Sequence, residues 1–208
     1  MSVYQTEEEQ VEALKKWWQE NGKSVVAGVV IGLGAVFGWQ SWGDYKERVG
    51  GDASVAFNQM ITAVESGDSD SASKQAELLR LEYESSNYAV FAALAQARIK
   101  LEAGDSPAAR SQLEWAIDNA SEPGLKQIAQ LRLARILLSE GDLDGAAARA
   151  KADSGSYAGE FAALRGDIAM ARQDNNSARA AYSLALASGV GSSALVQMKL
   201  DDLAVETP

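Results

Sequence analysis

The sequence contains neither cysteine nor histidine. Without cysteine there can be no disulfide, no thiolate nucleophile and no sulfur-ligated metal. Without histidine the commonest general base and the commonest metal ligand are missing. Serines are plentiful, but no Gly-x-Ser-x-Gly nucleophile elbow is present. We therefore expect no catalytic residue, no cofactor and no metal site, and an enzyme is the least favoured interpretation.

Proline and positive charge are also scarce. Only three prolines occur in a chain rich in alanine, which is typical of an all-α protein. The formal net charge is −10, and residues 51–208 hold 14 Lys and Arg against 22 Asp and Glu, a net of −8. A surface of that sign repels phosphate backbones, so we expect no nucleic-acid partner.

One stretch lacks charge altogether, from Ser24 to Gly43. As a helix it would reach about 30 Å, the thickness of a bilayer's hydrocarbon core. Four tryptophans flank or end it, as expected of residues at headgroup depth: Trp17, Trp18, Trp39 and Trp42. The run is longer than the about 7–15 apolar residues of a signal peptide, so an uncleaved membrane anchor is favoured over a signal peptide and over a buried core helix.

The residues around the span predict its surroundings. Thr6 and Glu9 have the form of a capping box, and an apolar stripe then continues to Asn21-Gly22, where we expect this amphipathic helix to end. Three lysines precede the span, while only Lys46 and Arg48 follow closely, which favours a cytoplasmic amino terminus. The predicted organisation is an amphipathic cytoplasmic segment at 1–22, a transmembrane helix at 23–43, a linker at 44–51 and a soluble domain at 52–208.

Glycines recur at four-residue spacing within the span. Gly28 with Gly32, and Gly34 with Gly38, form two small-x-x-x-small pairs. This spacing lets two membrane helices approach closely. The pairs are candidate packing positions for membrane partners, although such glycines also occur facing lipid.

The soluble part contains an internal repeat. Gly67-Asp68, Gly104-Asp105, Gly141-Asp142 and Gln173-Asp174 recur at similar intervals. Small residues at fixed distances from these turns are predicted crossing points of paired helices: Ala97, Ala109, Ala134, Ala146, Gly166 and Ala178. The predicted pairs are 52–65/70–84, 88–102/107–119, 123–139/143–152 and 157–171/176–188. A last helix from Ser192-Ser193 should cap the stack. We assign six aromatic side chains to the core: Phe57, Tyr88, Phe91, Trp115, Phe161 and Tyr182.

These repeats resemble the tetratricopeptide repeat, and the whole chain resembles the YfgM family of ancillary subunits of the bacterial Sec translocon. The approach to the span, Trp17-Trp-x-x-Asn-Gly-Lys23, is the most specific match. Further matching segments are residues 9–18, 38–39, 131–136, 164–167 and 197–200. The resemblance implies an inner-membrane protein with its repeat domain in the periplasm. It also implies association with the SecYEG channel, with a membrane-anchored chaperone of the prolyl-isomerase-like class and with unfolded secretory clients.

A second interpretation belongs to another class. A membrane-anchored repeat solenoid can also serve as a scaffold or regulatory adaptor for envelope or signalling proteins, without contacting unfolded chains. Composition favours neither interpretation. For the translocon interpretation, the concave face of the solenoid is the expected contact surface for chaperone or client.

Overall fold

The computed structural model describes residues 7–151 and 155–205, and every regular element in them is an α-helix. In chain order the helices are α1 (Glu7–Glu65), α2 (Ser69–Glu82), α3 (Asn87–Glu102), α4 (Ser106–Asn119), α5 (Pro123–Ser139), α6 (Leu143–Arg149), α7 (Ala158–Ala171), α8 (Asn175–Ala187) and α9 (Ser193–Val205). The chain divides into two compact units, Met1–Val49 and Gly50–Pro208. The predicted all-α fold is confirmed.

In the first unit, α1 continues through Asn21 and Gly22, so the predicted helix end at this pair is wrong. The Asn21 side-chain amide donates to the backbone carbonyl of Trp17 at 3.0 Å, which satisfies it within the helix. A single glycine costs a helix only about 1 kcal/mol, too little to interrupt helical sequence on both sides. Thr6 of the predicted capping box lies outside the described residues.

Residues 44–51, predicted as a linker, are also part of α1. The division between the two units falls inside this stretch, after Val49. A helical conformation there is compatible with its composition, since Gly50 and Gly51 are the only residues that strongly disfavour a helix. The domain limits given above stay predictions.

The second unit contains the predicted succession of helix pairs. It begins with residues 50–65 of α1, and each helix from α2 to α6 packs against the next, as α7 does against α8. The third pair is shorter than predicted, because α6 ends at Arg149 instead of residue 152. Residues 152–154 lie outside the described part of the chain. Helix α9 packs on α8, in the position predicted for a cap.

The turns within the pairs share one geometry. Gly67, Gly104, Gly141 and Gln173 all have positive φ, between 61° and 83°. The aspartate that follows each of them donates its backbone N–H to a carbonyl near the end of the preceding helix, at 2.8–2.9 Å. The carboxylate of the same aspartate accepts from a backbone N–H in the first turn of the next helix, at 2.9–3.1 Å. The repeated Gly-Asp therefore ends one helix and begins the next.

Three apolar clusters form the core of the second unit. The first surrounds Met60 and Leu79, the second lies around Leu113 and Leu133, and the third includes Val196 and Leu203 of α9. Two of the predicted core aromatics, Phe161 and Tyr182, are fully buried, and three are half-buried: Phe57, Tyr88 and Trp115. The prediction is wrong for Phe91, which is 38% exposed; its ring lies beside that of Phe57, with centroids 5.9 Å apart.

Candidate functional site

The apolar stretch of α1 is the first candidate site. Among the described residues, one helix is long and apolar enough to cross a membrane, and its span lies within Glu9–Glu65. Only 6% of the most apolar 18-residue stretch of this helix is buried, whereas the core helix of a soluble protein would be mostly buried. Side chains such as Val30 and Ile31 are exposed at 63% and 71%. An exposed apolar surface of this length fits membrane anchoring.

The four tryptophans predicted as interface anchors are all exposed: Trp17, Trp18, Trp39 and Trp42. The rings of Trp39 and Trp42 meet edge to face with centroids 6.0 Å apart, and the Lys46 ammonium lies 4.0 Å from the Trp42 centroid. A cation beside an aromatic pair at the end of an apolar segment suits the headgroup region. Their role as anchors stays a prediction.

The glycines of the two small-residue pairs lie on open helix surface. A Cβ atom added at Gly28, Gly32, Gly34 or Gly38 would meet nothing within 4 Å. The first unit therefore leaves room for the close approach of another helix along both pairs. That a membrane partner packs against these glycines stays a prediction.

The six predicted crossing residues are all buried in the second unit: Ala97, Ala109, Ala134, Ala146, Gly166 and Ala178. At Gly166 on α7, an added Cβ would collide with the ring of Tyr182 on α8. Small residues at these places are what close helix packing requires.

Tyr182 belongs to a polar contact that joins three helices. Its hydroxyl donates to Asp167 Oδ1 of α7 at 2.7 Å, and Lys199 Nζ of α9 donates to the same oxygen at 2.6 Å. Burial raises the pKa of the Tyr182 phenol, and the hydrogen bond to the charged Asp167 adds to the effect. Burial of the tyrosine and hydrogen bonding within this cluster indicate a structural role.

One recess of the second unit is lined by residues of α3, α4 and α5. We call it the arginine groove; its volume is about 360 Å³ and it is lined by Ala97, Arg98, Leu101, Leu113, Arg132, Arg135, Ile136 and Ser139. Arg132 donates through Nη1 to the backbone carbonyl of Leu94 at 3.3 Å. Burial lowers the pKa of Arg132, and the positive charges of Arg135 and Arg98 lower it further. Three cations thus share one recess with an apolar floor.

Sequence reasoning missed this groove, although a signal was present. Arg98 and Arg135 each lie six residues before a turn glycine, Gly104 and Gly141, so they occupy the same register position in successive repeats. Repeats in register place equivalent side chains side by side. What the sequence did not show is that Arg132 turns into the same recess.

No group of three or more acidic side chains that could hold a metal ion occurs in the part of the chain that the structure describes. The arrangement offers an exposed apolar helix and a cationic groove, which are features of binding surfaces.

Comparisons with known proteins give a family for the repeats and relatives over nearly the whole chain. A family described as tetratricopeptide repeat-like domain matches residues 15–205. The chain is 32% identical to a protein of Escherichia coli named ancillary SecYEG translocon subunit, over 99% of this chain and 100% of that protein. Proteins of the same name from Haemophilus influenzae and Aggregatibacter actinomycetemcomitans are 34% and 31% identical, over 46% and 45% of this chain and 47% and 45% of their own. No solved structure gives a significant match.

The match to the Escherichia coli protein covers the apolar segment as well as the repeats. The chain belongs to the family of ancillary SecYEG translocon subunits and carries that family's tetratricopeptide repeat-like domain.

Proposed function

We propose that the protein is a single-pass inner-membrane subunit that associates with the SecYEG channel. The observation that carries this proposal is the similarity to the Escherichia coli subunit over 99% of the chain, which covers anchor and repeats together. An exposed apolar segment of membrane-spanning length is the physical requirement for residence beside a membrane channel, and α1 provides it.

The proposed orientation has the amino terminus in the cytoplasm and the repeat domain in the periplasm. Lys15, Lys16 and Lys23 precede the span, against Lys46 and Arg48 after it. Basic residues near a span are retained on the cytoplasmic side, while acidic residues count little in this balance.

In this arrangement the repeat domain would bind a membrane-anchored periplasmic chaperone of the prolyl-isomerase-like class and assist secreted chains during folding and transit. Anchoring supports the idea, since it raises the effective concentration of the domain at the channel exit, so that weak contacts are occupied. Stacked repeats also present an extended surface on which partner segments can lie.

Affinity purification of the full-length chain from detergent-solubilised membranes tests the association. We expect SecY and one periplasmic chaperone in the eluate after cross-linking in cells. An unrelated single-span protein produced at the same level is the control. An eluate with no more SecY than the control would contradict the proposal.

Two further measurements test its details. Protease added to spheroplasts should degrade the repeat domain, and a domain cut only after cell lysis would reverse the proposed orientation. The purified protein should also suppress aggregation of a denatured client. A protein inert in that assay, yet bound stoichiometrically to one folded partner, would instead be a scaffold or adaptor.

A further inference from the structure

Another recess of the second unit lies between α2, α3 and α4 and is lined mainly by polar side chains. We call it the glutamine recess, and its volume is about 200 Å³. Gln96 and Lys100 each lie two positions from Arg98, ~160° away around the axis of α3, so this recess is separate from the arginine groove. Its polar lining comprises Ser73, Glu77 and Arg80 of α2, Gln96 and Lys100 of α3, and Gln112 of α4.

Gln96 is a buried polar residue whose side chain is left without a partner. It is 7% exposed, and its amide has no hydrogen bond to any other part of the chain that the structure describes. No unpartnered side-chain atom in that part of the chain is sealed from solvent, so the amide opens into the recess. Because an unpaired buried amide is costly, it must be satisfied by whatever occupies the recess.

The repeat register shows that packing alone does not require an amide here. Gln96 lies eight residues before the turn residue Gly104, and the equivalent position before Gly141 is Leu133. Leu133 is 1% exposed, so the next helix pair fills this position with an apolar side chain. Equivalent positions in successive repeats have similar surroundings. The amide at position 96 is therefore a departure from the packing pattern that points into a cavity.

Two cations of the recess lack a counter-charge. Arg80 and Lys100 are half-buried, and neither forms a salt bridge with another of the described residues. The carboxylate of Glu77 also lines the recess, but it is exposed and pairs with neither cation. The three charges add up to +1. A singly charged anion would balance this lining and accept hydrogen bonds from both cations.

We propose that the glutamine recess binds a small monocarboxylate that also carries hydrogen-bond donors, as a hydroxy acid or an amino acid does. Arg80 and Lys100 would hold the carboxylate, while the Gln96 amide and the Ser73 hydroxyl can each donate and accept. A volume of about 200 Å³ is below the roughly 300–1,000 Å³ of ordinary ligand pockets, so the ligand has few non-hydrogen atoms. This proposal does not depend on the proposed function.

Saturation-transfer NMR with the full-length protein in lipid nanodiscs tests the proposal. The probes are glycerate, which represents hydroxy acids, and L-serine, which represents amino acids. Glyceramide is the uncharged match of glycerate, and inorganic phosphate is a second anion. We expect glycerate or L-serine to bind about tenfold or more tightly than glyceramide and more tightly than phosphate.

The double variant Arg80→Gln/Lys100→Gln should lose about tenfold or more in affinity for the carboxylate probe. The matched control is Lys74→Gln/Arg98→Gln, which removes the same charge from α2 and α3 at residues that do not line the recess. The control should bind as the wild type does. If the first double variant does not fold, Gln96→Leu supplies the test.

Gln96→Leu has two expected effects of opposite sign. Probe affinity should fall about tenfold or more, because the amide that meets the ligand is gone. In the absence of probe the melting temperature should rise by about 2 °C or more, because leucine needs no hydrogen-bond partner. A lower melting temperature would assign the amide a structural role and overturn the proposal.

Equal binding of glyceramide and both carboxylate probes, or binding of none of them, would also overturn it. Tighter binding of phosphate, or an equal loss in the control variant, would do the same. SecY recovery is measured separately, so failure of the probes to bind would leave the proposed function intact. Absence of SecY from wild-type eluates would remove the proposed function whatever the probes do.

Discussion

At the scale of single residues, the four helix-pair turns differ in one position. Three of them place glycine at the positive-φ position, and the fourth places Gln173 there at φ 61°. A residue with a Cβ atom pays about 1–2 kcal/mol for this left-handed conformation, which glycine avoids. The surrounding hydrogen bonds nevertheless hold the turn, since Asp174 still donates to the Ala169 carbonyl at 2.9 Å.

We expect Gln173→Gly to stabilise the protein by about 0.5–1 kcal/mol, because relief of the left-handed strain exceeds the added flexibility of glycine in the unfolded chain. Urea unfolding of the full-length chain in detergent, followed by circular dichroism, measures the change. The reciprocal variant Gly104→Gln should destabilise by a similar amount. A loss of stability in Gln173→Gly would show that contacts of the Gln173 side chain stabilise the protein by more than the left-handed conformation costs.

A second residue-scale prediction concerns Gly166. The substitution Gly166→Ala places a methyl group against the Tyr182 ring and should cost about 1–3 kcal/mol through overpacking. Gly124→Ala is the control, since nothing lies within 4 Å of its added Cβ and Gly124 lies in the first turn of α5, so the protein should not be destabilised. Thermal unfolding of both variants measures the difference. If both substitutions stabilise, α7 and α8 are farther apart than described.

At the scale of helices, Asp167 of α7 fastens the end of the repeat stack, since it accepts from both Tyr182 of α8 and Lys199 of α9. Because Val196 and Leu203 of α9 are buried in the same cluster, the polar contact and the apolar packing hold α9 in one register. This is how the stack ends without leaving α8 uncovered.

The raised pKa of Tyr182 makes the stability of this end dependent on pH. The folded state holds the phenol proton more tightly than the unfolded state does. Its contribution is therefore complete below the unfolded value of about 10 and is lost as the pH rises above it. We expect the unfolding free energy of the wild type to fall more steeply above pH ~10 than that of Tyr182→Phe, in which the remaining tyrosines and lysines still titrate. Parallel curves for the two proteins would contradict this.

The apolar part of α1 carries an element-scale prediction about membrane partners. Gly28→Leu/Gly32→Leu should leave membrane insertion intact but reduce the SecY recovered with the protein, because leucine prevents close approach of another helix. The control is Val29→Leu/Val36→Leu, which adds bulk elsewhere on the same segment. Membrane extraction and quantitative immunoblotting measure insertion and recovery. Undiminished recovery in the glycine variant would exclude this packing face.

At the scale of the whole molecule, the two units differ in the exposure of their apolar side chains and in their charge. The unit up to Val49 exposes apolar side chains, whereas the unit from Gly50 onward buries its apolar residues in three clusters and carries most of the negative charge. A separate core is the physical condition for independent folding.

We therefore expect a fragment that begins at Gly50 to fold in water without detergent. Its helical circular dichroism signal should disappear in one cooperative transition on heating. A fragment beginning at Asp68 is the control, and it should be less stable because it lacks Met60 and the other α1 residues of the first core cluster. A Gly50 fragment that is unfolded or aggregates would show that the first unit contributes to folding.

Much of this architecture could be predicted from local chemistry. Each Gly-Asp or Gln-Asp turn could be located from the sequence. The turn needs a residue with positive φ followed by an aspartate that caps the next helix, and these two residues form a recognisable pair. The predicted helix end at Asn21-Gly22 failed for the opposite reason. A single Asn-Gly pair disfavours a helix only weakly. The Asn21 side chain also finds a hydrogen-bond acceptor, the Trp17 carbonyl, within the same helix.

The sequence by itself determined the helical class, the repeat register and the charge-free span, because each follows from residue types at fixed spacing along one chain. Only the tertiary structure decided that Phe91 remains exposed, that Gly166 must admit the ring of Tyr182, and that Arg98, Arg132 and Arg135 line one groove. These outcomes depend on which faces of different helices meet. That choice depends on packing between residues far apart in sequence, which local periodicity does not record.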